Sequence, residues 1–254
     1  MLELINIAVM AALAACCYAL WIRRDTWGSR WDSNPSRILV FIVGAGVLMS
    51  PAGWGLLDPI LHGALGVWNV SGLLAALCMF AAAVTMSRHL VTRLSDQAGA
   101  RKLARRYITT PLTFVLPLAI VVYFIADRGQ AQYQDVFATR GPWFTVYWTL
   151  ICVSALYLFA FTGRLLLTLR NDPRSTASAD QYLVWIALKT AAMSYQLISV
   201  LAGSTYTLPT WTCAGAASLA FAYAAAQSWQ TRADWFTPAR PNTADVADDE
   251  AAED

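Results

Sequence analysis

Two cations inside apolar segments are the residues of this sequence best suited to binding chemistry. Lys189 lies seven positions past Tyr182, where an apolar block begins, which places it about 10 Å into a helix. Arg164 lies at a comparable depth from the end of the preceding block. Because no aspartate or glutamate lies inside any apolar block, we predict that both cations bind an anion or a lipid headgroup from the cytoplasmic side. The alternative is that both side chains snorkel to the headgroups.

The basic segment from Ser87 to Ile108 is a second candidate site, and its spacing is helical. Leu94, Leu103 and Tyr107 can form an apolar side, with cations on the other side. We predict lipid-headgroup contacts for Arg101, Lys102, Arg105 and Arg106. Each cation near an anionic surface contributes about 1 kcal/mol to membrane binding. An ordinary positive-inside signal is the alternative explanation.

These residues belong to a sequence dominated by apolar blocks. Hydrophobic residues make up 57% of the chain and charged residues 13%, about half the charged share of a soluble domain. Blocks of about 20 apolar residues have the length that a helix needs to cross a bilayer. The seven blocks are Leu4–Ile22, Ile38–Leu57, Val67–Met86, Thr109–Ala126, Trp143–Leu167, Tyr182–Leu201 and Thr210–Trp229. They predict an all-α polytopic membrane protein, with a seven-transmembrane-helix bundle over residues 1–230.

Arginine placement predicts the orientation of this bundle. The first, third and fifth loops are rich in arginine, whereas the second and sixth contain no lysine or arginine and the fourth has only Arg128 and Arg140. The positive-inside rule therefore places the N-terminus outside and the C-terminus in the cytoplasm of a multi-pass plasma-membrane protein. The first block has no basic n-region and is followed by Arg23 and Arg24, so we expect a retained helix rather than a signal peptide.

The ends of the loops and the tail add polar groups. Asp58, Asp127, Tyr133 and Asp135 fall in predicted outer loops, where they could bind a cation or a solute or could simply be solvated. Residues 231–254 carry an acidic run and too few apolar residues to fold, so they predict a disordered cytoplasmic tail. The five cysteines lie inside apolar blocks without CxxC spacing, which favours packing roles. A Cys152–Cys213 disulfide is a further option.

Catalytic and cofactor chemistry finds little support. A microbial rhodopsin needs a lysine in its seventh helix and an aspartate in its third, and the corresponding blocks have neither. The two histidines, His62 and His89, cannot supply a three-histidine zinc site or a haem sandwich. Ser71 and Ser204 lie in no nucleophile motif that could use His62. We therefore expect a protein that is not an enzyme and that uses no cofactor or metal.

Three short motifs carry a resemblance to a known family. They are Ser50-Pro-Ala-Gly-Trp-Gly-Leu-Leu-Asp58, Tyr133-Gln-Asp-Val-Phe-Ala-Thr139 and Ala187-Leu-Lys189. The chain resembles the N-terminal seven-helix region of an actinobacterial multi-pass family catalogued as transporters. Abundant alanine and a predominance of arginine over lysine fit a GC-rich genome, such as that of an actinobacterium or its phage. Members of that family continue into a cytoplasmic region, whereas this chain has only the acidic tail.

Two functions from different classes follow, with a third that we do not favour. The first is a transporter or sensor that binds or moves a small solute, anion or lipid through a cavity between helices. It predicts a polar cavity that reaches Lys189. The second is a phage or prophage membrane factor that acts by protein–protein contact on a membrane or cytoplasmic partner. It predicts a filled core and an exposed intramembrane or loop surface. A membrane enzyme is the third. The lipid bilayer and anionic lipids at the cytoplasmic face are expected partners, and nucleic acid is not.

Overall fold

Nine α-helices form the regular structure in a computed structural model that describes residues 2–28, 33–50, 53–128, 131–133, 135–138, 141–173 and 175–236. No β-strand occurs in these ranges. The helices are α1 (Leu2–Ile22), α2 (Ser33–Met49), α3 (Asp58–Leu65), α4 (Val70–Leu94), α5 (Gln97–Ala104), α6 (Thr110–Asp127), α7 (Pro142–Arg170), α8 (Thr176–Leu201) and α9 (Leu208–Phe236). The all-α prediction is confirmed for the described residues.

Five helical segments are long and apolar enough to cross a membrane, and the number rises to six if one bent pair counts as a single span. The five are α1 from Ile5, α4, the continuous stretch Gln97–Asp127, α7 and α8. Each coincides with a predicted apolar block, and most extend several residues beyond it. The 29-residue α9 is not among them, because its alanine-rich sequence is less apolar than the other long helices.

The bent pair differs from the predicted second block, which ran unbroken from Ile38 to Leu57. Here α2 ends at Met49, a π-helical turn covers Gly53–Leu57, and the chain bends by 63° into α3. A Cβ atom at Gly53 would lie 2.0 Å from the carbonyl oxygen of Leu48, so only glycine fits this bend. The bend moves α3 out of line with α2.

Six of the long helices form a closed ring of neighbours. Going around it, the order is α1, α2, α4, α7, α8 and α9, and α9 returns to α1. Helix α6 lies outside the ring and packs against α7. Helices α1, α4, α7 and α9 begin, and α2 and α8 end, at the same end of the ring, which we call the N-terminal end. This arrangement gives the ring an interior of its own.

Small residues occur on nearly every face of helix α9 and allow close packing against neighbouring helices. It packs against α1, α2 and α8, and Ala217, Ala224 and Ala225 are fully buried. The helix continues to Phe236, beyond the predicted domain end at residue 230. The predicted disordered tail lies outside the described residues from position 237 onwards.

Candidate functional site

Lys189 lies at the middle of α8, thirteen residues after Thr176 and twelve before Leu201. At 1.5 Å per residue, each end of the helix is about 20 Å away, which is deeper than the sequence suggested because α8 begins before Tyr182. The side chain is 5% exposed. A four-carbon stem is too short to bring its ammonium group to either helix end, so the snorkelling alternative does not suit this position.

The thiol of Cys16 lies near Lys189, but the described surroundings offer its ammonium group no acidic or hydrogen-bonding partner. No hydrogen bond or ion pair joins it to any residue that the structure describes. Buried charges in proteins are normally paired, because removing a charge from water without compensation is costly. Lys189 is therefore the polar group of the described interior that most needs a partner from outside the chain.

A cavity of about 460 Å³ inside the ring reaches Lys189. All six ring helices contribute to its wall, together with Phe137 from the segment between α6 and α7. Its volume is in the range of small-molecule binding sites. Small residues create the space, among them Ala12, Gly46 and Gly215. A Cβ atom added at Gly215 would meet no atom within 4 Å.

The sequence predicted a polar cavity that reaches Lys189, and this prediction is wrong about polarity, because the wall of the ring cavity is apolar apart from a few groups. Thr212 and Ser218 line it, but their hydroxyls donate to the carbonyl oxygens of Leu208 and Ala214 within α9. Such back-bonding leaves them little capacity for a ligand. Among the described lining residues, Lys189 is the one that carries a charge.

The ring cavity lies on one side of Lys189. On α1 its wall runs from Ile5 to Cys16 and on α9 from Leu208 to Leu219, which is about 16 Å along either helix. Pairing of Gln196 with Thr210 and of Trp185 with Phe221 places Lys189 level with about residue 217, near the inner end of the cavity. The cavity thus extends from Lys189 towards the N-terminal end.

Beyond Lys189 the ring is filled. Trp185 lies one turn before Lys189 in α8 and is 1% exposed. Its ring centroid is 5.0 Å from that of Phe221 and 6.5 Å from that of Phe159. These three rings come from α8, α9 and α7 and close the interior on the side of Lys189 that faces away from the N-terminal end. The sequence predicted a site that opens towards the arginine-rich loops, whereas the open space beside Lys189 extends towards the N-terminal end of the ring.

Aromatic side chains also flank the cavity at its N-terminal end. Phe137 lies between Trp148 of α7 and Trp211 of α9, with centroid distances of 5.2 Å and 4.8 Å. All three are buried and line the cavity. Phe137 belongs to the irregular segment between α6 and α7, so a loop residue forms part of the wall.

Polar contacts hold this loop against α8 and α9. The carboxylate of Asp135 accepts hydrogen bonds from the Thr207 hydroxyl at 2.5 Å and from Trp211 Nε1 at 3.1 Å. The Gln196 amide donates to the carbonyl oxygen of Phe137 at 2.8 Å, and its own oxygen accepts from Thr210. Asp135 was considered as a cation or solute ligand from the sequence, and here it holds the loop instead. Gln196 carried no sequence signal, because its partners come from distant segments.

Arg164 does not share the ring cavity with Lys189. Its side chain is exposed on α7 and lies outside the cavity wall. The predicted pairing of the two cations is therefore not seen in the geometry, because their helices present them to different surroundings. Spacing along a helix gives depth, whereas the direction of a side chain depends on how the helix is rotated against its neighbours.

The other predicted outer-loop groups, Asp58, Asp127 and Tyr133, are held by hydrogen bonds to Ser71 and Asn69. Asp58 is buried and accepts hydrogen bonds from the backbone N–H and the hydroxyl of Ser71, at 2.8 Å and 2.9 Å. Asn69 donates to Asp127 at 2.9 Å and accepts from the backbone N–H of Tyr133. These contacts connect the loop segments at the N-terminal end.

The basic segment is an exposed helical surface. Arg101, Lys102, Arg105 and Arg106 are all exposed, whereas Ile108 is buried. A π-helical turn, Arg105–Thr109, joins α5 to α6 without a break, so these cations project from the base of a long apolar helix. Leu103 and Tyr107 of the predicted apolar side are half-buried, but the segment is not one helix, because α4 ends at Leu94 and α5 begins at Gln97. The contact with lipid headgroups stays a prediction.

The cysteines are free thiols, so the optional Cys152–Cys213 disulfide is not formed. No family model, curated protein or solved structure matches the chain. The resemblance to the actinobacterial family therefore stays a prediction. Two of its motifs fall on parts of the site, since one ends at Lys189 and another contains Asp135 and Phe137.

Proposed function

We propose that this chain is a multi-pass plasma-membrane protein that binds a small, largely apolar molecule in the ring cavity. The observation that carries the proposal is the cavity itself, an apolar space of about 460 Å³ that ends on a buried lysine without a partner in the described chain. Binding sites of this kind combine an apolar wall with a few polar groups that fix the orientation of the ligand.

A membrane location is supported by the outer surface of the helices. Phe114, Leu118, Val121 and Ile125 recur at helical spacing along α6 and are 45–72% exposed. Such a stripe is unfavourable in water and suits lipid chains. Counting the bent pair and α9 as spans gives seven crossings, with the N-terminus outside and the C-terminus in the cytoplasm as the arginine distribution predicts.

Binding is better supported than passage through the ring. A water-filled route would need a polar path on both sides of Lys189, and the packed rings of Phe159, Trp185 and Phe221 lie directly beyond it. Movement of a ligand to the cytoplasm would require these rings to separate. A binding or sensing role needs no such rearrangement.

The protein–protein alternative has weaker support. A phage or prophage membrane factor of this kind was expected to have a filled core, and the ring contains a cavity. Lipid chains account for the exposed stripe on α6 without a partner protein. Enzymatic chemistry would need convergent polar groups, whereas the described cavity wall offers Lys189 as its one charged group.

The proposal can be tested by filling the cavity. Gly215→Leu places a side chain in open space on the cavity wall, and Gly63→Leu makes the same change in open space on α3, away from the cavity. The full chain would be reconstituted in phosphatidylcholine nanodiscs, and saturable binding of radiolabelled hexadecanol, an uncharged single-chain probe, would be measured by scintillation proximity.

We expect saturable binding to the parent protein and to Gly63→Leu, and at least a tenfold weaker affinity for Gly215→Leu. Unchanged thermal unfolding of Gly215→Leu would show that the loss comes from occupied space. Equal binding by both glycine variants would refute the proposed function, and so would absence of saturable binding of both hexadecanol and its carboxylate counterpart hexadecanoate.

A further inference from the structure

The geometry points to a more specific ligand: we propose that the ring cavity binds a single-chain fatty carboxylate, with its carboxylate on Lys189 and its chain directed towards the N-terminal end. This inference rests on the proposed function, because it assigns the chemical class of the molecule in the same cavity. It follows from the charge of Lys189, the polarity of the cavity wall and the length of the cavity.

The charge argument concerns the missing partner of Lys189. Two acids at the N-terminal end of the ring are committed elsewhere, since Asp58 is held by Ser71 and Asp135 by Thr207 and Trp211. These carboxylates also belong to loop segments, whereas Lys189 is at mid-helix. A ligand that carries one negative charge would complete the pair that the protein leaves open.

The polarity of the wall restricts the rest of the ligand. A hydrophilic anion such as a sugar phosphate needs many hydrogen-bond partners, and the hydroxyls of Thr212 and Ser218 already donate within α9. A single ammonium group also lacks the fork of donors with which arginine binds phosphate in a bidentate manner. A monoanionic carboxylate on an apolar body fits this set of groups.

The length of the space matches one acyl chain. The cavity extends about 16 Å along α1, from Ile5 to Cys16. The hydrocarbon core of a bilayer is about 30 Å thick, so one leaflet, and hence one extended acyl chain, spans about half of that. Because Lys189 lies near the inner end and Trp185 fills the space behind it, the chain can extend in only one direction, towards Phe137, Trp148 and Trp211.

The wall is also chemically suited to a flexible chain. Met49, Met79 and Met193 line the cavity, and methionine side chains adapt to irregular apolar shapes. The remaining lining is largely alanine, glycine and aromatic rings, which offer contact area without specific polar demands. Recognition would therefore depend on the carboxylate and on chain length.

The test compares hexadecanoate with hexadecanol, which have the same chain and differ at the head. Both would be measured at pH 8 with the full chain in phosphatidylcholine nanodiscs, for the parent protein, Lys189→Met and Arg164→Met. We expect hexadecanoate to bind the parent at least tenfold more tightly than hexadecanol. Lys189→Met should abolish this preference, whereas Arg164→Met, which removes an exposed cation, should retain it.

The outcomes separate the two proposals. Equal affinity of the parent for hexadecanoate and hexadecanol would overturn the carboxylate assignment and leave the proposed function standing, whereas failure of both probes to bind would refute the proposed function. If Lys189→Met does not fold, Lys189→Gln provides the same comparison. Displacement of hexadecanoate by phosphatidylglycerol nanodiscs in a Lys189-dependent manner would assign the site to a two-chain phospholipid and overturn the single-chain inference.

The orientation of bound hexadecanoate in the cavity can be measured separately. Hexadecanoate brominated near the methyl end should quench the fluorescence of Trp148, so the quenched fraction should fall in Trp148→Phe. The indole N–H of Trp148 has no acceptor among the described residues, so this substitution leaves no polar group unpaired. Stronger Trp148-dependent quenching by bromine next to the carboxylate would reverse the proposed orientation and overturn it.

Discussion

Arg23 and Lys189 are both buried cations, but the protein treats them differently. Arg23 is 3% exposed, and its guanidinium donates to the Ala225 carbonyl oxygen at 2.8 Å and to the Ser36 hydroxyl at 3.1 Å. It thereby joins the end of α1 to α2 and α9. Lys189 has no such contacts in the described chain. A satisfied buried cation is structural, whereas an unsatisfied one beside a cavity indicates a ligand.

Replacing Lys189 should stabilise the protein when no ligand is present. Lys189→Met removes a buried charge and keeps the length of an apolar side chain, and replacing buried charges by apolar groups is often stabilising by about 1–4 kcal/mol. We expect a higher midpoint of thermal unfolding in phosphatidylcholine nanodiscs after removal of bound lipid. Arg164→Met, an exposed change, should leave the midpoint close to that of the parent. A lower midpoint for Lys189→Met would show that the ammonium group has a stabilising partner.

Replacing Arg23 should destabilise the protein, in contrast to replacing Lys189. Arg23→Met leaves the acceptors on Ala225 and Ser36 without their charged donor, and hydrogen bonds to charged groups contribute about 1.5–3 kcal/mol. We expect destabilisation of this size in denaturant titrations. The control is Arg24→Met, whose side chain is 57% exposed and should change stability by less than about 0.5 kcal/mol. Equal effects would mean that the Arg23 contacts contribute nothing specific.

Among the elements, the loop between α6 and α7 acts as part of the cavity wall. Its residue Phe137 contacts the aromatic rings of α7 and α9, and Asp135 and Gln196 hold it in place. Loops usually have few packing contacts and open more easily than helices. The hydrogen bonds to α8 and α9 therefore determine how firmly this side of the cavity is closed.

Weakening the Asp135 contact should loosen the loop. Asp135→Asn loses the charge that strengthens the bonds from Thr207 and Trp211, and charge-assisted hydrogen bonds are about twice as strong as neutral ones. We expect faster amide hydrogen exchange at residues 135–138 and several-fold faster release of bound hexadecanoate. Asp25→Asn, at an exposed site, should change neither rate. An unchanged exchange rate in Asp135→Asn would show that other contacts hold the loop.

The basic segment should favour anionic membranes. Changing Arg101, Lys102, Arg105 and Arg106 to glutamine removes four exposed cations, each contributing about 1 kcal/mol near an anionic surface. We expect the stabilisation of the protein by phosphatidylglycerol over phosphatidylcholine to fall strongly, and the parent's preference to weaken at high salt. Arg128→Gln, an exposed change in the opposite loop, serves as the control. A preference that survives all four substitutions would refute the headgroup contacts.

At the scale of the whole molecule, the ring has two unlike halves. Towards the N-terminal end it encloses the cavity, and beyond Lys189 it is packed with large buried side chains, including Trp185, Phe221 and Leu166. The arginine-rich loops lie at the packed end. If the predicted orientation is correct, the cavity occupies the outer half of the membrane.

Cysteine labelling can test this orientation. Gly63→Cys and Gln97→Cys introduce thiols at exposed positions near opposite ends of the ring, in a background without the native cysteines. We expect a membrane-impermeant maleimide to label Gly63→Cys in intact cells and to label Gln97→Cys only after permeabilisation. The reverse pattern would place the N-terminus in the cytoplasm and the cavity in the inner half of the membrane.

The sequence by itself determined the helical class, the approximate position of each long helix and the location of Lys189 inside an apolar block, although it underestimated the depth of that lysine. These depend on local properties, since block length and charge placement act through the bilayer on each segment separately. It also indicated the basic side of the segment around Arg101. The break after Met49 was not expected, although the close backbone contact that accompanies it is local, between Gly53 and Leu48.

Only the tertiary structure decided which groups meet. It separated Lys189 from Arg164, turned the lysine towards an apolar cavity, and brought Asp135 and Gln196 to the loop that carries Phe137. The rotation of a helix about its axis and the emptiness of a space depend on neighbours distant in sequence, and no periodicity in one segment encodes them. The sequence predicted that Lys189 contacts an anion or a lipid headgroup. The tertiary structure places it at the inner end of a cavity about as long as one acyl chain.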